Sequence, residues 1–368
     1  MIEIQKLKLD KSRRMIVTSD IHGNLNLFKR LLEKVNFTED DYLFINGDLC
    51  EKGVNSLEVI DFVRDLVANN QLVFVTKGNC DVVHRYVFDG NEGIRNYMKQ
   101  RKFSILNEMM AKHGKTLDDF TDLSDLGRFY KENFQEEINW LESLATAYET
   151  NHHIIVHAGI DNLVDWYHTE ESTALYAKAF QEKEHQSEKT VIVGHWPVVN
   201  YRSQQASSHN PLINHDKRII SIDGGNRIKK DGQLNALIIE DGEYSFAYVD
   251  DLEKEAKIVK EYIDPTNIKG TVTYPNYEMR PIEQKEYFTK CENINLGTIQ
   301  WVKNEYLVKE GEKHYCKNDL SVTFITVKYG EYVKIVDDEC EGFVLVKKGN
   351  GEVGWIPKEC VKNENFSR

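Results

Sequence analysis

A repeated alternation of short apolar runs and polar, glycine-containing loops most strongly constrains how this chain can fold. The apolar runs Met15–Thr18, Tyr42–Ile45 and Leu72–Val75 each predict a buried strand, and apolar residues at helical spacing follow the first two. Strands that alternate with helices form parallel sheets, which place their sites at the carboxyl ends of the strands. The pattern therefore predicts an α/β fold in which three polar loops meet at one sheet edge.

The rest of the chain divides into segments of different character. Residues 1–250 are predicted to form one catalytic domain, within which residues 91–150 lose the strand pattern and predict a helical insertion. Residues 251–295 have few apolar runs and are predicted to be a connector. Residues 296–368 are rich in Val, Ile, Tyr and Phe, with closely spaced turns, and predict a small all-β barrel.

Residue types that bind metal ions follow five of the apolar runs. Each loop alone has an ordinary interpretation, since a lone histidine after an apolar run is usually a core residue and Asp-x-His often caps a helix. Together they offer carboxylate, imidazole and amide ligands, which suit manganese, iron or zinc. The absence of a CxxC pair argues against a structural zinc site. The candidate metal ligands are Asp20, His22, Asp48, Asn79, His157 and His195.

The loops, in chain order, read DIHGN, GDLCEKG, GNCD, VHAG and GHWP. Over roughly residues 15–240 this series resembles the calcineurin-like metallophosphoesterases, and among them the bacterial branch similar to PPP-type serine/threonine phosphatases. The resemblance implies an α/β (α+β) fold of two facing mixed β-sheets flanked by helices. It also implies a phosphoester hydrolase with two divalent metal ions, manganese first and iron or zinc as alternatives. A hydroxide held between the ions would attack phosphorus in line.

The same resemblance assigns roles to individual residues. Asp20, His22 and Asp48 would hold the first ion. Asp48 would bridge to the second ion, which Asn79, His157 and His195 would complete.

Three positions depart from the family pattern. Glu51 and Lys52 replace an aspartate and an arginine, and Cys80 replaces the histidine that donates a proton to the leaving group. The catalytic set implied is thus Asp48, Asn79, Glu51 and Cys80, with Asn79 and Lys52 on the substrate phosphate. His84 is an alternative proton donor.

The loss of the histidine favours substrates with good leaving groups, because these depend less on general acid catalysis. A phosphodiesterase or a dinucleoside-polyphosphate hydrolase of the same superfamily is the alternative function. The substrate would be a phosphoester on a phosphoprotein, a nucleotide or a small metabolite.

The C-terminal block GEVGWIP, residues 351–357, resembles the closing part of an SH3-like barrel. Such a module binds a peptide, mediates self-association or simply packs as a structural barrel. A non-catalytic scaffold built around this module is the rival interpretation from another functional class. The survival of all six candidate ligands argues against it.

Composition narrows the partners and the compartment. The chain has 47 Lys and Arg against 60 Asp and Glu, a net charge of −13, which disfavours nucleic acid as a partner. No apolar stretch is long enough to span a bilayer, and the N-terminus lacks the apolar segment of a signal peptide. Six cysteines without a CxxC pair fit free thiols. We therefore predict a cytoplasmic protein with no membrane partner.

Overall fold

The computed structural model describes residues 2–362, which divide into two compact units. The first contains the described residues up to Pro197 together with Asn210–Ile228 and Gly232–Asp250. The second contains Val198–His209, Lys229–Asp231 and the described residues from Asp251 onward. Within residues 2–362 no helix combines the length and the apolar character needed to cross a bilayer.

The first unit contains all eight α-helices of the described chain and eleven strands. The helices are α1 Leu25–Lys34, α2 Ser56–Asn69, α3 Arg85–Phe88, α4 Gly93–Gln100, α5 Ile105–Lys112, α6 Leu123–Asn133, α7 Gln135–Ser143 and α8 Glu171–Tyr176. The strands are β1 Ile4–Lys6, β2 Met15–Thr18, β3 Tyr42–Asn46, β4 Val73–Thr76, β5 Ala147–Glu149, β6 His153–Val156, β7 Thr190–Val193, β8 Leu212–Asn214, β9 Ile219–Ser221, β10 Gln233–Glu240 and β11 Glu243–Asp250.

These strands form two mixed sheets. One has the order β11-β10-β2-β3-β4, in which β2, β3 and β4 are parallel neighbours and β10 is antiparallel to both β11 and β2. The other has the order β1-β5-β6-β7-β9-β8, in which β6, β7 and β9 are parallel. Apolar residues from the facing sides of both sheets share one cluster, which includes Val17, Phe44, Ile155, Ile192 and Leu237. The two sheets therefore pack face to face.

Helices cover the outer faces of this sandwich. Helix α1 is amphipathic, with Leu27, Phe28 and Leu31 buried, and the side chain of Asn24 caps its first turn by accepting from the Leu27 N–H. Together with α2 and α4–α7, it buries the outer side of the five-stranded sheet. Trp166, Ala174 and Phe180 cover the other sheet. The predicted fold of two facing mixed sheets flanked by helices is confirmed.

The segment predicted as a helical insertion, residues 91–150, is helical from α4 to the end of α7. Its last residues differ from the prediction, because they form β5 in the six-stranded sheet. A three-residue strand directly after a helix gives too short an apolar pattern to be recognised in the sequence.

The second unit contains eleven strands and, among its described residues, no α-helix. The strands are β12 Glu255–Lys257, β13 Thr271–Val272, β14 Glu278–Gln284, β15 Phe288–Asn293, β16 Thr298–Lys303, β17 Leu307–Glu310, β18 Lys313–Cys316, β19 Leu320–Ser321, β20 Tyr332–Asp337, β21 Phe343–Lys348 and β22 Val353–Pro357. They form a sheet ordered β12-β20-β21-β22, a sheet ordered β16-β15-β14-β18-β17 and the pair β13-β19. The all-β character predicted for the C-terminal region is confirmed.

Residues 251–295, which the sequence predicts to be a connector, contain four of these strands, β12 to β15. The physical reason is visible in β14, where only Met279 is buried and a register shift occurs between Pro281 and Glu283. A strand with a single buried side chain leaves no alternating apolar pattern in the sequence. The predicted domain limits stay a prediction.

Candidate metal centre

The six predicted metal ligands all follow strands of the first unit. Asp20 and His22 follow β2, Asp48 follows β3 and Asn79 follows β4, three parallel neighbours in one sheet. His157 and His195 follow β6 and β7, which are parallel neighbours in the facing sheet. The carboxyl ends of both sheets thus supply the site.

The structure brings these side chains together around Asp48. His22 Nε2 lies 3.9 Å from Asp48 Oδ2 and 3.8 Å from Asp20 Oδ1. On the other side, His157 Nε2 lies 3.4 Å from Asp48 Oδ1 and 3.1 Å from Asn79 Oδ1. The ring of His195 lies 5.1 Å from that of His157. The carboxylate of Asp48 therefore lies between two groups of candidate ligands.

The backbone at this site is strained. Twelve residues other than glycine have a positive φ within residues 2–362, and six belong to the predicted site. Left-handed backbone at such residues costs on the order of 1–3 kcal/mol each and concentrates at functional sites. The six and their φ angles are Asp20 at 59°, His22 at 49°, Asp48 at 53°, Glu51 at 69°, Lys52 at 67° and His195 at 64°.

Two glycines allow the loops to approach each other closely. A Cβ at Gly78 would lie 2.3 Å from Asp48 Oδ1, and a Cβ at Gly194 would lie 2.4 Å from Asp20 Oδ2. Both distances are far shorter than an ordinary contact of 3.4 Å or more. The residues that precede Asn79 and His195 therefore need to lack a side chain.

Electrostatics favour a charged carboxylate and neutral imidazoles in the middle of the site. Burial acts to raise the pKa of Asp48, but His157, His22 and Lys52 outweigh it and hold the pKa well below its usual range. Burial lowers the pKa of His22 to about 3, and burial together with His157 lowers the pKa of His195 to about 3. Neutral imidazole and ionised carboxylate are the forms that ligate metal ions.

The residues fit a divalent cation. Asp20 Oδ1 and His22 Nε2 are fully buried and have no hydrogen-bond partner among the described residues. Buried polar atoms without a partner are rare and costly, and a metal ion at this position would satisfy both. Asp48, His157 and His195 also place one ligand atom each within 4.8 Å of the others.

The sequence profile of the calcineurin-like phosphoesterase family matches residues 13–208 of this chain. The chain belongs to that family. The resemblance drawn from the five loops is thereby confirmed, and membership implies a divalent metal centre. A second profile, the variant SH3 domain, matches residues 307–364.

Curated relatives of this phosphoesterase include bis(5'-nucleosyl)-tetraphosphatases. The symmetrical enzyme of Buchnera aphidicola subsp. Acyrthosiphon pisum (strain Tuc7) is 33% identical over 145 residues, 39% of this chain and 43% of that protein. The asymmetrical enzyme PrpE of Bacillus subtilis (strain 168) is 26% identical over 156 residues, 39% of this chain and 57% of that protein. The chain thus matches about half the length of these relatives.

Among solved structures, a cold-active protein-tyrosine phosphatase of a psychrophilic Shewanella species covers 68% of this phosphoesterase chain and 83% of its own. The two share 15% sequence identity and a TM-score of 0.44.

Cys80 lies at the edge of the ligand cluster, where its Sγ is within 4.8 Å of ligand atoms of His22 and Asp48. Its N–H donates to Asp48 Oδ1 at 2.8 Å. Burial, together with the charge of Asp48, raises the pKa of the Cys80 thiol well above its ordinary value. The thiol is therefore protonated at neutral pH.

Glu51 and Lys52 follow Cys50 in the loop after β3 and face different surroundings. The Glu51 carboxylate is buried and accepts hydrogen bonds from the Tyr97 hydroxyl, the Ser104 hydroxyl and the Ile105 N–H. Glu51 thus ties this loop to the helical segment. Burial acts to lower the pKa of the Lys52 ammonium, but Cys80 and the carboxylates of Asp48 and Asp20 outweigh it and raise the pKa. Lys52 is the cationic side chain that the ligand carboxylates stabilise.

The structure pairs His84, the alternative proton donor, with a carboxylate. Its side chain is buried, and its Nε2 lies 2.8 Å from a Glu142 carboxylate oxygen. The carboxylate of Glu142 also accepts from Arg85. His84 is therefore part of an ion-pair cluster at the start of α3.

Two buried carboxylates of this phosphoesterase were missed by sequence reasoning. Asp81 accepts four backbone N–H groups, those of Gly78, Asp48, Leu49 and Cys50, and so joins the loops after β3 and β4. Asp223 follows β9, and its buried Oδ2 has no hydrogen-bond partner within residues 2–362. Asp81 stands in the block GNCD given above, and Asp223 stands in the segment SIDGG, residues 221–225. The available signal was therefore an acidic residue near a glycine at a strand end.

Proposed function

We propose that this chain is a dinuclear metal-dependent hydrolase of phosphoesters and phosphoanhydrides with good leaving groups, and that dinucleoside polyphosphates are its substrate class. The observation that carries the proposal is the convergence of two ligand groups on the shared carboxylate of Asp48. The names of the bis(5'-nucleosyl)-tetraphosphatase relatives support the substrate class.

The donor atoms divide into two sets around Asp48. Asp20, His22 and Asp48 would hold one divalent cation, and Asp48 together with Asn79, His157 and His195 would hold a second. Manganese is our first choice for this mixture of carboxylate, imidazole and amide ligands, with iron or zinc as alternatives. Two such cations supply Lewis-acid polarisation of phosphoryl oxygens and lower the pKa of water.

The chain's own residues would bind and orient the phosphoryl group. The raised pKa of Lys52 keeps its ammonium charged, so it can pair with phosphate oxygens as a point charge. The Asn79 amide has its oxygen toward His157, and its Nδ2 lies 3.5 Å from Cys80 Sγ. That nitrogen would donate to a phosphate oxygen. Asp81 fixes the loops after β3 and β4 relative to each other through the four hydrogen bonds that it accepts.

The side chain at position 80 supports the preference for good leaving groups. The buried thiol of Cys80, with its raised pKa, is a much weaker acid than an imidazolium. His84 is already paired with Glu142. A serine or threonine alkoxide needs a proton from a general acid, whereas a polyphosphate leaving group needs it less. Phosphoserine is therefore the disfavoured substrate.

A substrate panel with metal analysis on the same preparation tests the proposal. Diadenosine tetraphosphate, 4-nitrophenyl phosphate, bis(4-nitrophenyl) phosphate and a phosphoserine peptide would be compared with Mn²⁺, Fe²⁺ and Zn²⁺ added separately. We expect about two ions per chain and fastest turnover of diadenosine tetraphosphate. Fastest turnover of phosphoserine would refute the leaving-group argument. A Cys80→His variant should increase phosphoserine turnover relative to the other substrates.

We also infer that the SH3-like module has a structural role. Peptide-binding SH3 domains expose an aromatic groove to proline-rich ligands. Here Trp355 is fully buried and its Nε1 donates to the Ser321 carbonyl at 2.7 Å. Phe343 packs against Phe288 and Phe324, at ring separations of 5.1 and 5.9 Å. Titration with a proline-rich peptide should give no binding, and micromolar affinity would contradict the inference.

A further inference from the structure

A cavity of about 360 Å³ in the first unit opens beside Asn79 and Cys80. Its walls include three tyrosines, Tyr86, Tyr97 and Tyr176. Tyr86 and Tyr176 are each 39% exposed, and their hydroxyl oxygens lie 3.5 Å apart. None of these rings has a part in metal binding or in the reaction described above.

The three rings are held in place by polar contacts of their own helices and side chains. Arg85 in α3 binds Glu171 in α8 at 3.1 Å and also Glu142, so the helices that carry Tyr86 and Tyr176 are linked. The Tyr97 hydroxyl donates to Glu51 in the loop after β3. The tyrosine pocket, as we call the cavity lined by Tyr86, Tyr97 and Tyr176, is therefore largely preformed.

The chemistry of the walls selects a flat, uncharged ring. Val83 and Ile94 add apolar surface to the aromatic rings, and no Lys, Arg or His is among the described residues that line the cavity. The only lining carboxylate, Glu51, already has three hydrogen-bond donors. A phosphate or an acidic peptide side chain would find no counter-charge here, whereas tyrosine faces stack on planar aromatic groups.

Position and size narrow the ligand further. Asn79 and Cys80 line the cavity, so a ring bound beside them lies next to the predicted phosphoryl site. The volume lies in the range of small-molecule pockets, and the wall also carries the polar side chain of Asn91. A group that joins an aromatic ring with polar edges to a chain of phosphates fits both features.

We propose that the tyrosine pocket binds one nucleobase of a nucleoside polyphosphate while the phosphates of that ligand lie at the metal centre. This inference rests on the proposed function, since it names the part of the substrate that the same site would recognise. Tyr86 and Tyr176 would be the stacking residues, and Tyr97 would form the fixed inner wall.

The variants Tyr86→Ala and Tyr176→Ala test the pocket, with Phe246→Ala as the control because that aromatic residue is 42% exposed and does not line the cavity. Loss of one base-stacking side chain should lower affinity roughly 5- to 150-fold. We expect this loss in titrations of metal-free protein with AMP. We also expect a fall of that size in the ratio of kcat/KM for diadenosine tetraphosphate to kcat/KM for inorganic tripolyphosphate, with no change in the control.

An unchanged AMP affinity and an unchanged ratio in both tyrosine variants would overturn the proposal. Selective loss of 4-nitrophenyl phosphate turnover would assign the pocket to a phenyl ring and would also overturn it. If wild-type protein hydrolyses neither polyphosphate, yet the tyrosine variants bind AMP more weakly than the wild type, the proposed function fails while the pocket assignment stands.

Discussion

A Gly78→Ala substitution should impair the candidate metal centre because the added methyl group overlaps Asp48 and displaces it. The added Cβ would lie 2.2 Å from the Asp48 backbone nitrogen and 2.3 Å from its Oδ1, where ordinary contact begins near 3.4 Å. The φ of Gly78 is not positive, so alanine adds no backbone strain of its own. Its effect comes from the overlap alone.

The size of the effect follows from those distances. Asp48 is buried, so it cannot rotate away from the added Cβ. Relief of the overlap therefore requires the loops after β3 and β4 to separate by about 1 Å. Overpacking of this kind costs about 1–3 kcal/mol of stability. A misplacement of about 1 Å at a reacting centre costs about 100-fold in rate. We therefore expect a loss of about 100-fold in kcat/KM with a modest loss of stability.

The assay combines turnover of diadenosine tetraphosphate, metal content per chain and thermal unfolding of the same preparation. Gly349→Ala is the matched control, because its Cβ would meet nothing within 4 Å and its φ is not positive. The control should retain wild-type values in all three measurements. Activity of Gly78→Ala within twofold of the wild type, with full metal content, would refute the reasoning.

Three further substitutions test other parts of the molecule. Asp48→Asn should lower kcat by about 100- to 1,000-fold and reduce the bound metal, while circular dichroism shows an unchanged fold. Glu142→Gln removes a carboxylate whose pKa burial acts to raise but the Arg85 hydrogen bond holds low. A carboxylate with a lowered pKa contributes its full stability above the unfolded value of about 4.3, and the contribution declines as the pH falls from there toward the folded pKa. In urea titrations the variant should therefore lose about 1–2 kcal/mol at pH 7 and most of that at pH 4, and the difference from the wild type should shrink only at lower pH. Trp355→Phe removes the indole N–H that donates to the buried Ser321 carbonyl. It should lower the free energy of unfolding of the second unit by about 2–4 kcal/mol, which denaturation monitored by circular dichroism would measure.

The convergence of the candidate ligand loops could be predicted from the sequence because each loop lies directly after an apolar strand. The residues of strands β2, β3 and β4 are all buried except one in β4, which is half-buried. Their apolar runs are therefore continuous and easy to recognise. Parallel pairing then places Asp20, Asp48 and Asn79 at one edge whatever the details of the loops. Local pattern and global topology agree here, which is why the inference was possible.

Other parts depend on contacts that no local pattern contains. Asp81 acts on Asp48, which is 33 residues away, and Glu51 is held by Ser104, 53 residues away. The tyrosine pocket is assembled from α3, α4 and α8, so it draws on three helices separated along the chain. In β14 a single buried residue conceals the strand. These features follow from tertiary packing, which overrides local pattern.

Cys80 connects the metal centre to the tyrosine pocket. The sequence shows only that Cys80 replaces a proton-donating histidine. In the structure its side chain lies beside the candidate ligands and also lines the cavity. An imidazole is larger than the thiol, and the cavity that Cys80 lines is open space beside this buried side chain. The small residue therefore removes an acid and leaves room for a ring beside the phosphates. Both consequences favour a nucleoside polyphosphate, whose leaving group needs little protonation and whose base needs the room, over a phosphorylated serine.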